Sequence, residues 1–176
     1  MLNFGGYTDK SIRDLNEDAI YMSKTLSLFL VADGVGGLNA GDVASQLACK
    51  LVSEQIKAGG SLCDSVIFAN NHLLSLNQEN EDSKMATTLV AALFGTQSLE
   101  IVWVGDSRAY YFDNTLNLLT KDHSLVEQLF ENDQIAMSAL DSHPKRHVIS
   151  QALGASDNLK VSTYHTAIPA NGYFML

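Results

Sequence analysis

The chain is short of cations and of cysteine, and each shortage narrows what it can do. Eleven Lys and Arg residues stand against twenty Asp and Glu, a formal net charge of −9. A surface with that balance repels nucleic acid and anionic membranes, so neither is an expected partner. The two cysteines, Cys49 and Cys63, fall in helix-like stretches with no metal-ligand spacing around them, which predicts reduced packing residues. No apolar run approaches the roughly 20 residues of a membrane span, and the start lacks a basic-then-apolar leader. The expectation is a cytoplasmic chain. With 176 residues and 46% hydrophobic content, residues 1–176 are enough for one domain with its own core. Neither a repeat nor a linker is visible.

What is present reads as alternating strand and helix signals. Leu2 to Thr8 predicts a short strand, and Ala19 to Met22 and Leu26 to Val31 predict two more, joined by a turn at Ser23 to Thr25. Val43, Leu47, Leu51 and Val52 fall at helical spacing in a helix that starts near Asn39 and stops at Gly59-Gly60. A second helix is predicted from Leu62 to Leu76, followed by a loop from Asn77 to Lys84. Thr87 to Phe94, Leu99 to Val104, Arg108 to Phe112 and Leu116 to Leu119 read as a meander of antiparallel strands. Asp122 suits the cap of a helix running to Leu129. Short helices are expected at Gln134 to Leu140 and Pro144 to Leu153, and strands at Leu159 to Ala167 and Tyr173 to Leu176. This order is not a parallel βαβ pattern. It predicts an α+β fold of two stacked antiparallel sheets with helices outside.

Two acidic segments carry the chemistry. Asn16-Glu17-Asp18 follows Arg13, and Asp33-Gly34-Val35-Gly36-Gly37 ends an apolar strand. Carboxylates beside a glycine-rich turn are what a hard divalent cation needs, since such ions take oxygen ligands and keep part of their water. Arg13 adds a planar cation able to grip a phosphate at two points. Taken alone, Asp33-Gly34 is a weak signal that a simple turn would also give, and Asp106-Ser107-Arg108 reads as a hairpin turn whose Asp bonds the backbone. His123, His143 and His147 have no metal-type spacing, and Trp103 and Thr87-Thr88 are expected to pack.

Six ordered segments extend this reading. They are Arg13 to Asp18, Val31 to Gly37, Met85-Ala86-Thr87-Thr88-Leu89, Val104-Gly105-Asp106-Ser107-Arg108-Ala109-Tyr110, Leu119 to Ser124, and Ile149 to Gly154. Together the chain resembles the metal-dependent Ser/Thr protein phosphatases of type 2C in their compact bacterial form, and the resemblance covers nearly the whole sequence. It implies a four-layer α-β-β-α sandwich and hydrolysis of phosphoserine and phosphothreonine in proteins by metal-activated water, opposed to a Ser/Thr kinase. It implies two Mn²⁺ or Mg²⁺ ions bridged by Asp33, with Glu17 and the Gly34 carbonyl as ligands of one. Asp18 would hydrogen-bond water held by the metal, Arg13 would hold the substrate phosphate, and Asp106 would help bind a third, weaker ion.

Two departures from the family pattern follow. Val35 stands where some members carry a histidine after Asp-Gly. Beyond the position of Leu176 the family continues into a Ser-Asp-Gly segment and a later Asp-Asn, which supply two more metal carboxylates. The expectation is therefore a domain truncated at its C-terminus, with an uncovered apolar sheet face that invites self-association. The alternative to an active enzyme is a phosphatase-like module of weak or no activity that binds or regulates a partner.

Overall fold

In the computed structural model, residues 3–12, 14–35, 40–79 and 84–176 are described. The elements are β1 (Asp18–Ser23), β2 (Leu28–Asp33), α1 (Gly41–Lys57), α2 (Leu62–Glu79), β3 (Leu89–Phe94), β4 (Ser98–Val104), β5 (Tyr110–Phe112), β6 (Leu116–Leu118), α3 (Leu125–Glu131), β7 (Ser162–Ala167) and β8 (Tyr173–Met175). A single 3₁₀ turn covers Met137–Ala139. Two antiparallel sheets form, one ordered β1-β2-β3-β4-β7 and the other β6-β5-β8. The α+β class and the two sheets match the sequence reading.

Alternation along the strands decides which side each layer takes. Leu28, Leu30 and Ala32 of β2, Leu89 and Ala91 of β3, and Val102 and Val104 of β4 point to one face and pack against α1 and α2. Each fully buried aliphatic side chain there contributes about 1.5–3 kcal/mol. The intervening residues, including Val90, Ala92, Leu99, Ile101 and Trp103, face the second sheet and meet Phe174 and Leu119. Phe94 joins the sheets as an aromatic bridge, edge-on to Phe29 at 5.7 Å and to Phe174 at 5.5 Å.

The remaining face of the three-stranded sheet is open. Cross-strand register puts Tyr110, Leu118 and Met175 side by side, with Phe112, Leu116 and Tyr173 as the next row. Leu116 is 60% exposed and Met175 54%. Among the described residues no helix covers this face, so three of the four layers implied by the resemblance are present, and the uncovered apolar face is where the sequence reading expected it.

Several local expectations are corrected. Residues 3–10 form no strand among the described residues, although Phe4 does pack edge-on to Phe29 at 5.1 Å. The supposed loop from Asn77 is helical up to Glu79. The meander is split, because the chain leaves the larger sheet after β4 and starts the smaller one at β5. Gly105, with φ at +100°, makes that turn, and a side chain there would collide with Thr88. Ser124, not Asp122, caps α3: its backbone is extended and its hydroxyl accepts from the Glu127 N–H at 3.3 Å. The helix expected over Pro144 to Leu153 is absent among the described residues, because Ile149 bridges Ser124 and Leu153 bridges Thr87. Those backbone groups go to tertiary pairing instead of a helical ladder.

Candidate active site

The acidic edge is built by the β1–β2 hairpin. Its register sets Asp18 opposite Asp33, and the Gly34 N–H extends the ladder by donating to the Glu17 carbonyl at 3.0 Å. Residues directly opposite on antiparallel strands share a face, and two like charges so placed repel each other. A cation at this edge would relieve that repulsion.

Gly34 is glycine for a steric reason. A Cβ there would lie 2.3 Å from the Gly41 carbonyl oxygen and 2.8 Å from that of Glu17. Gly41, the first residue of α1, is constrained in turn, since its Cβ would come within 2.8 Å of Glu17 Oε1. The two glycines let the strand end, the start of α1 and the Glu17 carboxylate converge. Sequence reasoning missed Gly41, because the need for it arises only when α1 folds back on the hairpin.

A second set of bonds pins Asp33 from the other side. Its carbonyl accepts from the Thr88 N–H at 2.8 Å and from Thr87 Oγ1 at 2.9 Å, and its N–H donates to Thr88 Oγ1 at 3.2 Å. Thr87 is paired with Leu153 through both backbone groups, at 3.1 and 2.9 Å. Thr87 and Thr88 are buried, so the expected packing role with hydrogen bonds near the site is what the structure shows.

Asp106 sits on the turn between the sheets, next to this network. Burial raises its pKa from the usual aspartate value; a backbone hydrogen bond opposes the rise, Asp122 adds to it, and Arg108 and His147 oppose it. Arg108 itself is committed to Asp122, donating from Nε at 2.8 Å and from Nη2 at 2.7 Å. Those bonds raise its pKa and hold it protonated. His123 holds the base of the turn: Nδ1 accepts from the Gly105 N–H at 3.2 Å, and its own N–H donates to the Gly105 carbonyl at 2.9 Å. Beside Asp106 opens a groove of about 690 Å³, lined by Arg108, Asp122, Phe130, Arg146 and His147 among others.

Of the residues singled out from sequence, Glu17, Asp18, Asp33 and Gly34 gather at one hairpin end. Asp106 lies on a loop bonded to the same neighbourhood through Thr88 and Ser107, whose hydroxyl oxygens are 2.6 Å apart. Arg13 lies outside the described residues. The donors are all oxygens, which suits a hard cation such as Mg²⁺ or Mn²⁺. Among the described residues no three His, Cys, Asp or Glu side chains cluster closely enough to hold an ion. A cation here would complete its shell with backbone oxygen and water, as Mg²⁺ commonly does.

Comparison with known proteins identifies the family. The chain belongs to the protein phosphatase 2C family, whose profile matches residues 6–163. Its class is thus that of the protein serine/threonine phosphatases. It is similar to the serine/threonine phosphatase stp of Listeria welshimeri, with 35% identity over 173 residues covering 89% of this chain and 69% of that protein. The crystal structure of the phosphatase Stp1 from Staphylococcus aureus superposes with a TM-score of 0.83 at 32% identity, covering 92% of this chain and 70% of that one. The catalytic domain of the phosphatase PstP, solved in complex with 2 manganese ions, matches with a TM-score of 0.76 at 29% identity over 93% of this chain and 70% of that one.

Proposed function

We propose that this phosphatase hydrolyses phosphoserine and phosphothreonine in proteins at the β1–β2 edge, with Mn²⁺ or Mg²⁺ held there by Asp33, Glu17 and the Gly34 carbonyl. The observation that carries the reading is the Asp18–Asp33 cross-strand pair beside the bond between Gly34 and Glu17. When bound, such a cation lowers the pKa of water toward neutrality and offsets charge on the phosphoryl oxygens. Asp18 accepts a hydrogen bond from water at this edge and so orients it. Arg13 supplies the planar cation for the substrate phosphate, and Asp106 adds a carboxylate for a further, weaker ion.

Direct attack by water is supported by the state of the thiols. Cys49 is buried and its pKa is pushed up to about 12, so it is no nucleophile near neutrality. The open groove beside Asp106 supports a polypeptide substrate, because an extended chain flanking the phosphorylated residue can lie along it. A phosphoester must be made before it is cleaved, so a Ser/Thr kinase is the opposing activity. Free thiols at Cys49 and Cys63 support action in a reducing compartment such as the cytoplasm.

The test is phosphate release from a phosphothreonine peptide with and without Mn²⁺, alongside Asp33→Asn. Mn²⁺-dependent turnover that the variant loses is the expected result. A folded protein that binds the peptide without turnover would instead make this a binding module.

A further inference from the structure

We propose that Thr88 is a positioning residue that couples the Asp33 strand end to the Asp106 turn through the hydroxyl of Ser107. The proposal rests on the reading of Asp33 as a metal ligand. Three contacts of one side chain carry it. The Thr88 hydroxyl accepts from the Asp33 N–H at 3.2 Å and shares a hydrogen bond of 2.6 Å with Ser107 Oγ. Its methyl lies beneath Gly105, where an added Cβ would come within 2.6 Å of Thr88 Cγ2. Ser107 directly follows Asp106, so the hydroxyl pair spans the gap between the two acidic segments.

The geometry gives Thr88 a directional role. A hydroxyl that accepts from the Asp33 N–H keeps its own hydrogen for Ser107, or accepts a second from it. Either arrangement passes through the hydroxyl oxygen of the buried Thr88, where a lost partner is costly. The backbone bond from Thr88 N–H to the Asp33 carbonyl, at 2.8 Å, fixes the strand but does not reach the Asp106 turn. Only the side chain does. Shifting Ser107 therefore moves the acceptor of the Asp33 amide, and so the root of the Asp33 carboxylate.

Thr88→Val keeps the shape and the methyl contact while deleting the hydroxyl, Thr88→Ser restores the hydroxyl alone, and Ser107→Ala removes the far partner. Two quantities are read: Mn²⁺ affinity by calorimetry, and hydrogen exchange of the Asp33 amide by NMR. Thr88→Val is expected to weaken Mn²⁺ about threefold to tenfold and to speed exchange at Asp33. Ser107→Ala should shift the Asp33 amide although it does not touch it. The double variant should be no worse than Thr88→Val alone, and Thr88→Ser should recover Mn²⁺ affinity even if it melts earlier. A purely structural residue would lower the melting temperature in every variant and leave these readings alone. An Asp33 amide indifferent to Ser107→Ala, with wild-type Mn²⁺ affinity in Thr88→Val, would overturn the proposal. If Thr88→Val fails to fold, Ser107→Ala carries the test. If the wild-type protein binds no Mn²⁺, the metal reading falls and the amide response alone decides whether Thr88 couples the two segments.

Discussion

Asn77 and Met85 are joined by two hydrogen bonds running in opposite directions. Asn77 Nδ2 donates to the Met85 carbonyl at 2.7 Å, and Asn77 Oδ1 accepts the Met85 N–H at 2.7 Å. The same amide group donates to the Gly154 carbonyl at 2.9 Å, while Asn70 Oδ1 accepts the Gly154 N–H at 2.9 Å. The last turns of α2 thus hold the segment that leads into Thr87 and Thr88. Replacing Asn77 with Leu strands one donor and two acceptors, each costing about 1–3 kcal/mol if left unpaired. We expect Asn77→Leu to lose at least about 3 kcal/mol of stability, measured by urea unfolding.

Two glycine substitutions separate crowding from backbone strain. Gly34→Ala forces a methyl group against the Gly41 carbonyl, and rigid backbone on both sides leaves no easy relaxation. A loss of about 1–3 kcal/mol should come with loss of Mn²⁺-dependent turnover. Gly59→Ala meets no atom within 4 Å but keeps φ at +89°. It should cost about 1 kcal/mol and leave turnover intact. Parallel melting curves and phosphate-release assays check both.

Acid should destabilise the protein through His123. Burial lowers its pKa in the folded chain below the usual histidine value, assisted by Lys160 and opposed by Asp122 and Glu131. A depressed histidine is neutral when folded and more readily protonated when unfolded. Its contribution is present above the unfolded value near 6.5 and is lost as pH falls through the folded value. His123→Gln should lower stability at pH 7, through lost bonds to Gly105 and Ser162, and flatten the decline from pH 7 to 5. Denaturation midpoints across that range test the slope.

The bare face of β6-β5-β8 should drive association of one chain with another. Phe112, Leu116, Leu118, Tyr173 and Met175 are all exposed on it, and contiguous apolar surface of that kind draws a partner. Sedimentation should show mass rising with protein concentration, and Leu118→Lys combined with Met175→Lys should abolish the rise. Unchanged association in that double variant would place the contact elsewhere.

The parts of the fold that were legible are those set by periodicity. Alternation in Leu28 to Asp33 and in Leu89 to Phe94 marks strands, and the spacing of Val43, Leu47 and Leu51 marks α1. Glu17, Asp33 and Gly34 could be expected at one edge because a hard-cation site needs oxygen donors at strand ends, and the hairpin brings them together. Gly41 and Ser107 could not, since each acquires its role from an element distant in sequence. Residues 134–153 were misread for a related reason. Their apolar content suggests helix, but Asp133 follows α3 at φ +55°, and the Val148 carbonyl then accepts from the Leu125 N–H while the Ser150 N–H donates to the His123 carbonyl. Tertiary pairing claimed those amides before a helix could.

The split between the two sheets also sets an order of assembly. β1 and β2 pair as one local hairpin and β3 and β4 as another, with α1 and α2 filling the chain between the two hairpins. β3 must instead join β2 by pairing residues 28–31 with 90–93, β7 must return to the edge of β4, joining residues 98–103 to 162–167, and β8 must return to β5. Closing such long loops is entropically late. The Asp33 edge is therefore expected to be in place while the chain emerging behind it is still searching for its strands. Pulse-labelling during refolding would then show β1–β2 protected before β7.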